Sequence, residues 1–169
     1  YLNVSGLLEL REVVAKYHSK KNKYPYTADN IIIGPGSKEL IFQTQLIMDG
    51  DLLLPSPSWV SYEPQANIIN KKIHWLNTTA KTNWHLSPQT LDELCEKLQI
   101  ETKLLILNSP NNPSGTIHSD LKTLAKVSKK HDIIIIADEI YAELDFTGEY
   151  KSLTHYYPEG TIISSGLSK

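Results

Sequence analysis

Apolar runs of strand length alternate with segments of helix length along this chain, and this alternation limits the folds it can adopt. The predicted strands are 30–34, 51–54, 72–76, 103–107, 133–137 and 161–164. The predicted helices are about 6–20, 40–48, 59–69, 88–98 and 119–130. Such an alternation indicates an α/β fold with three αβα layers, in which a mostly parallel mixed sheet lies between helices.

Composition excludes several classes of protein. The net charge of −2 over 169 residues gives no strong field for nucleic acid or an anionic membrane. The longest apolar run, Ile133–Ala137, is far shorter than the roughly 18–20 residues that span a bilayer. The six histidines lack metal-ligand spacing, so no metal site is expected. Cys95 is the one cysteine, which excludes an internal disulfide and favours a cytoplasmic location.

Three reactive side chains follow predicted strands, at the edge where parallel sheets bind ligands. Asp138 comes directly after Ile133–Ala137, Tyr141 lies three residues further on, and Lys169 follows the last strand. A lysine amine can attach an aldehyde, a buried carboxylate can pair with a protonated pyridine nitrogen, and a phenol can donate to a phenolic oxygen. Pyridoxal phosphate needs these three groups. Each also has an ordinary structural role, as a loop cap, a packing ring or a solvated charge.

Other segments would complete such a site. Gly36, Ser37 and Lys38 open a helix, where free backbone N–H groups bind phosphate. Trp59 follows a Pro-Ser-Pro-Ser break and could stack on an aromatic ring, or could belong to the core. Asn112 lies in a loop dense in turn residues, and the proline after it favours a cis peptide bond.

In this order, the segments resemble the class I/II aminotransferases, which are fold-type I pyridoxal-phosphate enzymes. The resemblance covers nearly the whole chain. The matching segments are Tyr1–Gly6 with Leu10-Arg11, Gly36-Ser37-Lys38, Pro57–Tyr62, Asn108–Gly115, Asp138–Tyr141 and Ser168-Lys169.

The resemblance implies transfer of an amino group from an amino acid to a 2-oxo acid, with pyridoxal 5'-phosphate as cofactor. Lys169 would hold the cofactor as a Schiff base, and Asp138 would bind its pyridine nitrogen. Asn112 and Tyr141 would contact its phenolic oxygen, and Trp59 would stack on its ring.

The resemblance also implies a homodimer, in which Tyr1 reaches the phosphate bound by the partner subunit. The family often has a serine three residues before the lysine, and here that residue is Gly166. Ser165 and Ser168 are the alternative phosphate contacts. The family's two binding arginines follow the lysine. Residues 1–169 are therefore expected to be part of a large cofactor-binding domain, whose remainder and a small domain lie outside the chain.

Three alternatives remain open from the sequence. A β-lyase or decarboxylase would share the fold and the cofactor. The chain could instead be a non-catalytic cofactor-binding fragment, and the fragment alone is expected to be inactive. A dinucleotide-binding domain is disfavoured, because no G-x-G-x-x-G follows the first predicted strand.

Overall fold

A five-stranded sheet forms the centre of the computed structural model, which describes residues 3–98 and 101–169. The strands are β1 (Asp51–Ser56), β2 (Ile73–Asn77), β3 (Lys103–Asn108), β4 (Ile133–Asp138) and β5 (Thr161–Ser164). Their order is β2-β1-β3-β4-β5, and every pairing is parallel. The sheet predicted as mostly parallel is thus entirely parallel over these strands. The predicted partner-reaching residue Tyr1 lies outside the described residues.

Among the described residues, α-helices lie before β1 and between successive strands from β1 to β4. They are α1 (Leu8–Asn22), α2 (Ser37–Ile47), α3 (Tyr62–Ile68), α4 (Pro88–Lys97) and α5 (Leu121–Lys130). The predicted start of α4 is confirmed, since the Ser87 side chain accepts a hydrogen bond from the Thr90 N–H and Pro88 takes the first helical position. Among the described residues, no helix has both the length and the apolar content needed to cross a membrane.

Side-chain alternation along the strands produces the three layers. On β1, Leu52 and Leu54 pack with Ile41 of α2, whereas Leu53 packs with Leu91 of α4. Successive residues of a strand point to opposite faces, so one strand supplies both cores. Burial of each of these leucines stabilises the folded state by about 1.5–3 kcal/mol. The two cores hold the sheet rigidly between α2 and α3 on one face and α4 and α5 on the other.

The predicted strand at 30–34 is wrong. Ala28–Asn30 forms a 3₁₀ turn, and the residues after it are extended without joining the sheet. The Ile33 N–H donates to the Ser5 carbonyl at 3.0 Å, and Ile32 is 65% exposed. This apolar run packs on the chain before α1 instead, with the Ile33 side chain close to Gly6.

The parallel register brings the carboxyl ends of three strands together. Asn108 of β3, Asp138 of β4 and Ser164 of β5 lie side by side across the sheet. The loops that leave these strands therefore start from one edge. All the polar segments singled out after β3, β4 and β5 begin there.

Candidate active site

Asp138 is the buried centre of this edge, with 2% of its surface exposed. The Tyr62 hydroxyl donates to its Oδ2 atom at 2.6 Å, and the Ile140 N–H donates to Oδ1 at 3.3 Å. Burial raises the pKa of the Asp138 carboxyl, while these two hydrogen bonds oppose the rise by stabilising the anion. The carboxylate is thus dehydrated but oriented, which suits it to bind a cation.

Tyr62 is the contact that the sequence analysis missed. Its ring is 1% exposed in the core beneath α2 and α3, and burial together with the charge of Asp138 raises the pKa of its hydroxyl. The signal that could have found it is its position as the first residue of α3, three residues after Trp59. Its partner is 76 residues away along the chain.

Asn112 and Tyr141 meet beside the same strand end. The Asn112 side-chain amide donates to the Tyr141 hydroxyl at 3.4 Å. Asn108, also missed from the sequence, holds this loop in place. It accepts from the Asn112 N–H at 2.7 Å and donates to the Asp138 carbonyl at 2.8 Å. The cis peptide bond predicted between Asn112 and Pro113 is confirmed.

Trp59 lies next to Tyr62, with ring centroids 5.4 Å apart and planes at 82°. The Lys38 ammonium lies 5.1 Å from the Trp59 ring centroid, a cation–π distance. The Lys38 backbone carbonyl accepts from the Gln65 amide at 2.8 Å. The Gly36–Lys38 turn is therefore tied to α3 and to the indole, so two of the predicted binding segments are in contact.

The turn at Gly36 leaves the start of α2 open. Gly36 occupies the N-cap position, no side chain caps the helix, and a Cβ atom added there would meet nothing within 4 Å. Ser37 and Lys38 form the first turn of the helix. α2 also packs against β5, the strand that leads into the loop carrying Ser165.

The segment from Ser165 to Lys169 is exposed and follows β5. Ser165 Oγ lies 3.4 Å from His18 Nε2 of α1. A Cβ atom on Gly166 would lie 3.1 Å from the Ile140 side chain, so this loop passes close to the residue that donates to Asp138. Ser168 and Lys169 make no hydrogen bond or ion pair with any part of the chain that the structure describes.

Together these side chains suit a flat, anionic, nitrogen-containing ring. A buried carboxylate can pair with a ring cation, an amide and a phenol converge on one point, and an indole and an open helix start lie nearby. Within residues 3–98 and 101–169, no group of three or more His, Cys, Asp or Glu side chains could hold a metal ion.

Comparison with known proteins identifies similar chains. A family model described as aminotransferase class I and II matches residues 1–169. The chain is 31% identical to an aspartate aminotransferase of Bacillus subtilis, with 100% of this chain and 44% of the relative covered. It is 33% identical, with the same coverage, to a probable N-acetyl-LL-diaminopimelate aminotransferase of that organism.

Solved structures of aspartate aminotransferases have the same fold as this chain. The structure superimposes on a Thermus thermophilus aspartate aminotransferase with maleate at a TM-score of 0.90 and 31% identity, covering 100% of this chain and 45% of that one. The TM-score for a Thermotoga maritima aspartate aminotransferase is 0.89 at 32% identity, covering 100% and 46%. The chain thus spans less than half the length of these relatives.

Proposed function

The chain belongs to the aminotransferase class I and II family, and from this we propose that the protein containing it transfers an amino group from an amino acid to a 2-oxo acid with pyridoxal 5'-phosphate. The observation that carries the proposal is the buried Asp138 carboxylate, bonded by Tyr62 beside the Asn112–Tyr141 contact. The relatives are named as aminotransferases or transaminases, which favours transfer over elimination or decarboxylation.

Asp138 would hold the pyridine nitrogen in its protonated form. When bound, the cofactor supplies an electron sink for the negative charge that develops at the α-carbon of the substrate. A nearby carboxylate favours the pyridinium by charge pairing, and more strongly in a dehydrated site. Since Tyr62 and Ile140 fix both oxygens, the charge of Asp138 is oriented before the reaction begins.

Asn112 and Tyr141 would bind the phenolic oxygen of the cofactor. The Tyr141 hydroxyl accepts a hydrogen bond from the Asn112 amide, so its own proton stays available to donate. Asn108 anchors the loop of Asn112 to the carbonyl of Asp138. The adjacent ends of β3 and β4 thereby set the positions of the carboxylate, the amide and the phenol relative to one another.

The phosphate would bind at the start of α2. The uncapped backbone N–H groups after Gly36 attract an anion, and the absence of a glycine side chain leaves room for it to approach. Ser37 and Lys38 would add a hydroxyl and a positive charge. Ser165 and Ser168 are further candidates, because they follow β5, against which α2 packs.

Trp59 would stack on the cofactor ring, with its indole oriented by the edge of Tyr62 and by the Lys38 ammonium. To Lys169 we assign covalent attachment of the cofactor and, once its amine is released, proton transfer at the α-carbon of the substrate.

We further propose that the protein is a cytoplasmic homodimer, in which Tyr1 reaches the phosphate bound by the partner subunit. The role of Tyr1 follows from the family pattern, and the location from the single thiol of Cys95.

The test uses the full-length protein purified with pyridoxal 5'-phosphate. We expect a visible absorption band that borohydride bleaches, that Lys169→Ala abolishes and that the control Lys151→Ala, at an exposed lysine, retains. Turnover of an amino acid should require an added 2-oxo acid. Pyruvate release without an acceptor would indicate a lyase, and the absence of any band in the wild-type protein would refute the proposal.

A further inference from the structure

Glu139 is a second buried carboxylate at the same strand end, and the proposed reaction leaves it without a role. It is 6% exposed and directly follows Asp138. Its N–H donates to the Ser164 carbonyl at 2.8 Å, and its own carbonyl accepts from the Ala142 N–H at 2.9 Å. The backbone of Glu139 thus links β4 to the end of β5 and begins the turn that carries Tyr141.

The two neighbouring carboxylates point to opposite faces of the sheet. Asp138 points toward Tyr62 in the layer of α2 and α3. Glu139 lines a small cavity with Leu107 and Leu153, which belong to the core under α4 and α5. This follows from the period of two along a strand. The turn after β4 therefore begins with two acids, one directed toward the layer of α2 and α3 and the other toward the layer of α4 and α5.

The carboxylate of Glu139 is held by residues 150–152, on the face of the sheet opposite to Tyr62. The Ser152 hydroxyl donates to its Oε1 atom at 2.6 Å, and Ser152 is itself buried. Burial raises the pKa of the Tyr150 hydroxyl, and the nearby charge of Glu139 raises it further. Burial raises the pKa of the Glu139 carboxyl, and Ser152, Tyr150 and the positive charge of Lys21 lower it. Burying a carboxylate is unfavourable unless it is bonded in this way.

The same turn is fixed a second time, from α1. Glu143, two residues after Tyr141, forms an ion pair with Lys21 and accepts a hydrogen bond from the Tyr17 hydroxyl. The Leu144 N–H donates to the Tyr141 carbonyl at 2.9 Å. Glu139 and Glu143, each two residues from Tyr141, are thus both held by side-chain partners, whereas the Tyr141 phenol faces Asn112.

We propose that Glu139 is a positioning residue that fixes the turn after β4, so that the Tyr141 phenol is held at the phenolic oxygen of the cofactor. The inference rests on the proposed function. Glu139 touches neither cofactor nor substrate in this role. It acts through the backbone of the turn. The Ser152 hydroxyl donates to its carboxylate, and Tyr150 lines the same small cavity.

The test is the pH midpoint of the visible absorption band in the full-length protein loaded with cofactor. Glu139→Gln keeps the size of the side chain but presents an amide to Tyr150. If the turn relaxes, Tyr141 loses a hydrogen bond to the oxyanion, and the midpoint should rise by roughly 0.5 to 1 unit. Glu149→Gln, at an exposed glutamate of the following loop, is the matched control and should leave the midpoint unchanged.

A double-mutant cycle separates positioning from general stability. Combined with Tyr141→Phe, Glu139→Gln should shift the midpoint no further, because both changes remove the same hydrogen bond. Ser152→Ala should shift it in the same direction and serves if Glu139→Gln fails to fold. A lowered melting temperature with an unshifted midpoint in both variants, or fully additive shifts, would overturn the inference. Absence of a band in the wild type would instead overturn the proposed function.

Discussion

Removal of the Tyr62 hydroxyl tests how the buried carboxylate is stabilised. Tyr62→Phe keeps the ring in the core but leaves Asp138 with the Ile140 N–H as its remaining donor among the described residues. A hydrogen bond to a charged group contributes about 1.5–3 kcal/mol, and one pKa unit corresponds to about 1.4 kcal/mol. The pKa of Asp138, already raised by burial, should therefore rise by a further one to two units or so.

This change predicts a pH dependence with a definite sign. The folded-state pKa of Asp138 lies above its ordinary value, so between the two values the folded state binds more protons than the unfolded one. The free energy of unfolding then falls as the pH rises through this window. Since Tyr62→Phe raises the folded-state pKa further, its loss of stability should be greatest at neutral pH and should shrink toward about 1 kcal/mol once Asp138 is protonated.

Urea unfolding of the cofactor-free full-length protein, measured from pH 8 down to pH 4, gives the loss of stability both with Asp138 ionised and with Asp138 protonated. Tyr24→Phe, at an exposed tyrosine, is the control for loss of a hydroxyl and should change the free energy of unfolding by less than about 0.5 kcal/mol at each pH. An equal loss for Tyr62→Phe at all pH values would refute the reasoning. It would mean that the hydroxyl does not bond an ionised carboxylate.

Two further changes test the fold. Leu105→Ala, in the fully buried centre of the sheet, should lower the free energy of unfolding by about 2–5 kcal/mol, whereas the exposed Leu46→Ala should lower it by less than about 0.5 kcal/mol; urea titration checks both, and similar losses would contradict the assigned core. Gly50→Ala should lower the free energy of unfolding by at least about 2 kcal/mol, because φ of Gly50 is +94° and a Cβ atom there would lie 2.1 Å from the Thr102 carbonyl oxygen. Gly148→Ala has a positive φ and open space, so a melting temperature lowered as much as in Gly50→Ala would show that the close approach to Thr102 is not the cause.

The sequence predicted the sheet well because its signal is local. Five of the six predicted strands coincide with β1 to β5 to within two residues at each end. The exception at 30–34 has the same apolar composition, but its backbone pairs with Ser5 rather than with a strand. Strand composition reports that a segment is extended and apolar. It does not report whether the segment pairs with the sheet or with another part of the chain.

The candidate site could be predicted in part for the same reason. Asp138, Tyr141 and Asn112 follow strands whose ends a parallel sheet must bring to one edge, and the Asn112–Tyr141 contact is of this kind. Tyr62 and Asn108 were not predicted, because their importance lies in which partners they meet. Tyr62 finds Asp138 across 76 residues, and no local pattern encodes that pairing.

The division of roles between Asp138 and Glu139 depends on the register of β4. Ile133 and Ile135 pack under α4 and α5, whereas Ile136 packs under α2 and α3. A slip of one residue would exchange these faces, turning Glu139 toward Tyr62 and Asp138 toward Ser152. The isoleucines on both faces are apolar and resemble one another, so they hold this register only weakly by themselves. The polar partners distinguish the two registers, because Tyr62 bonds the shorter Asp138 on one face and Ser152 bonds the longer Glu139 on the other. The side chains that orient the candidate site therefore also fix the register of β4.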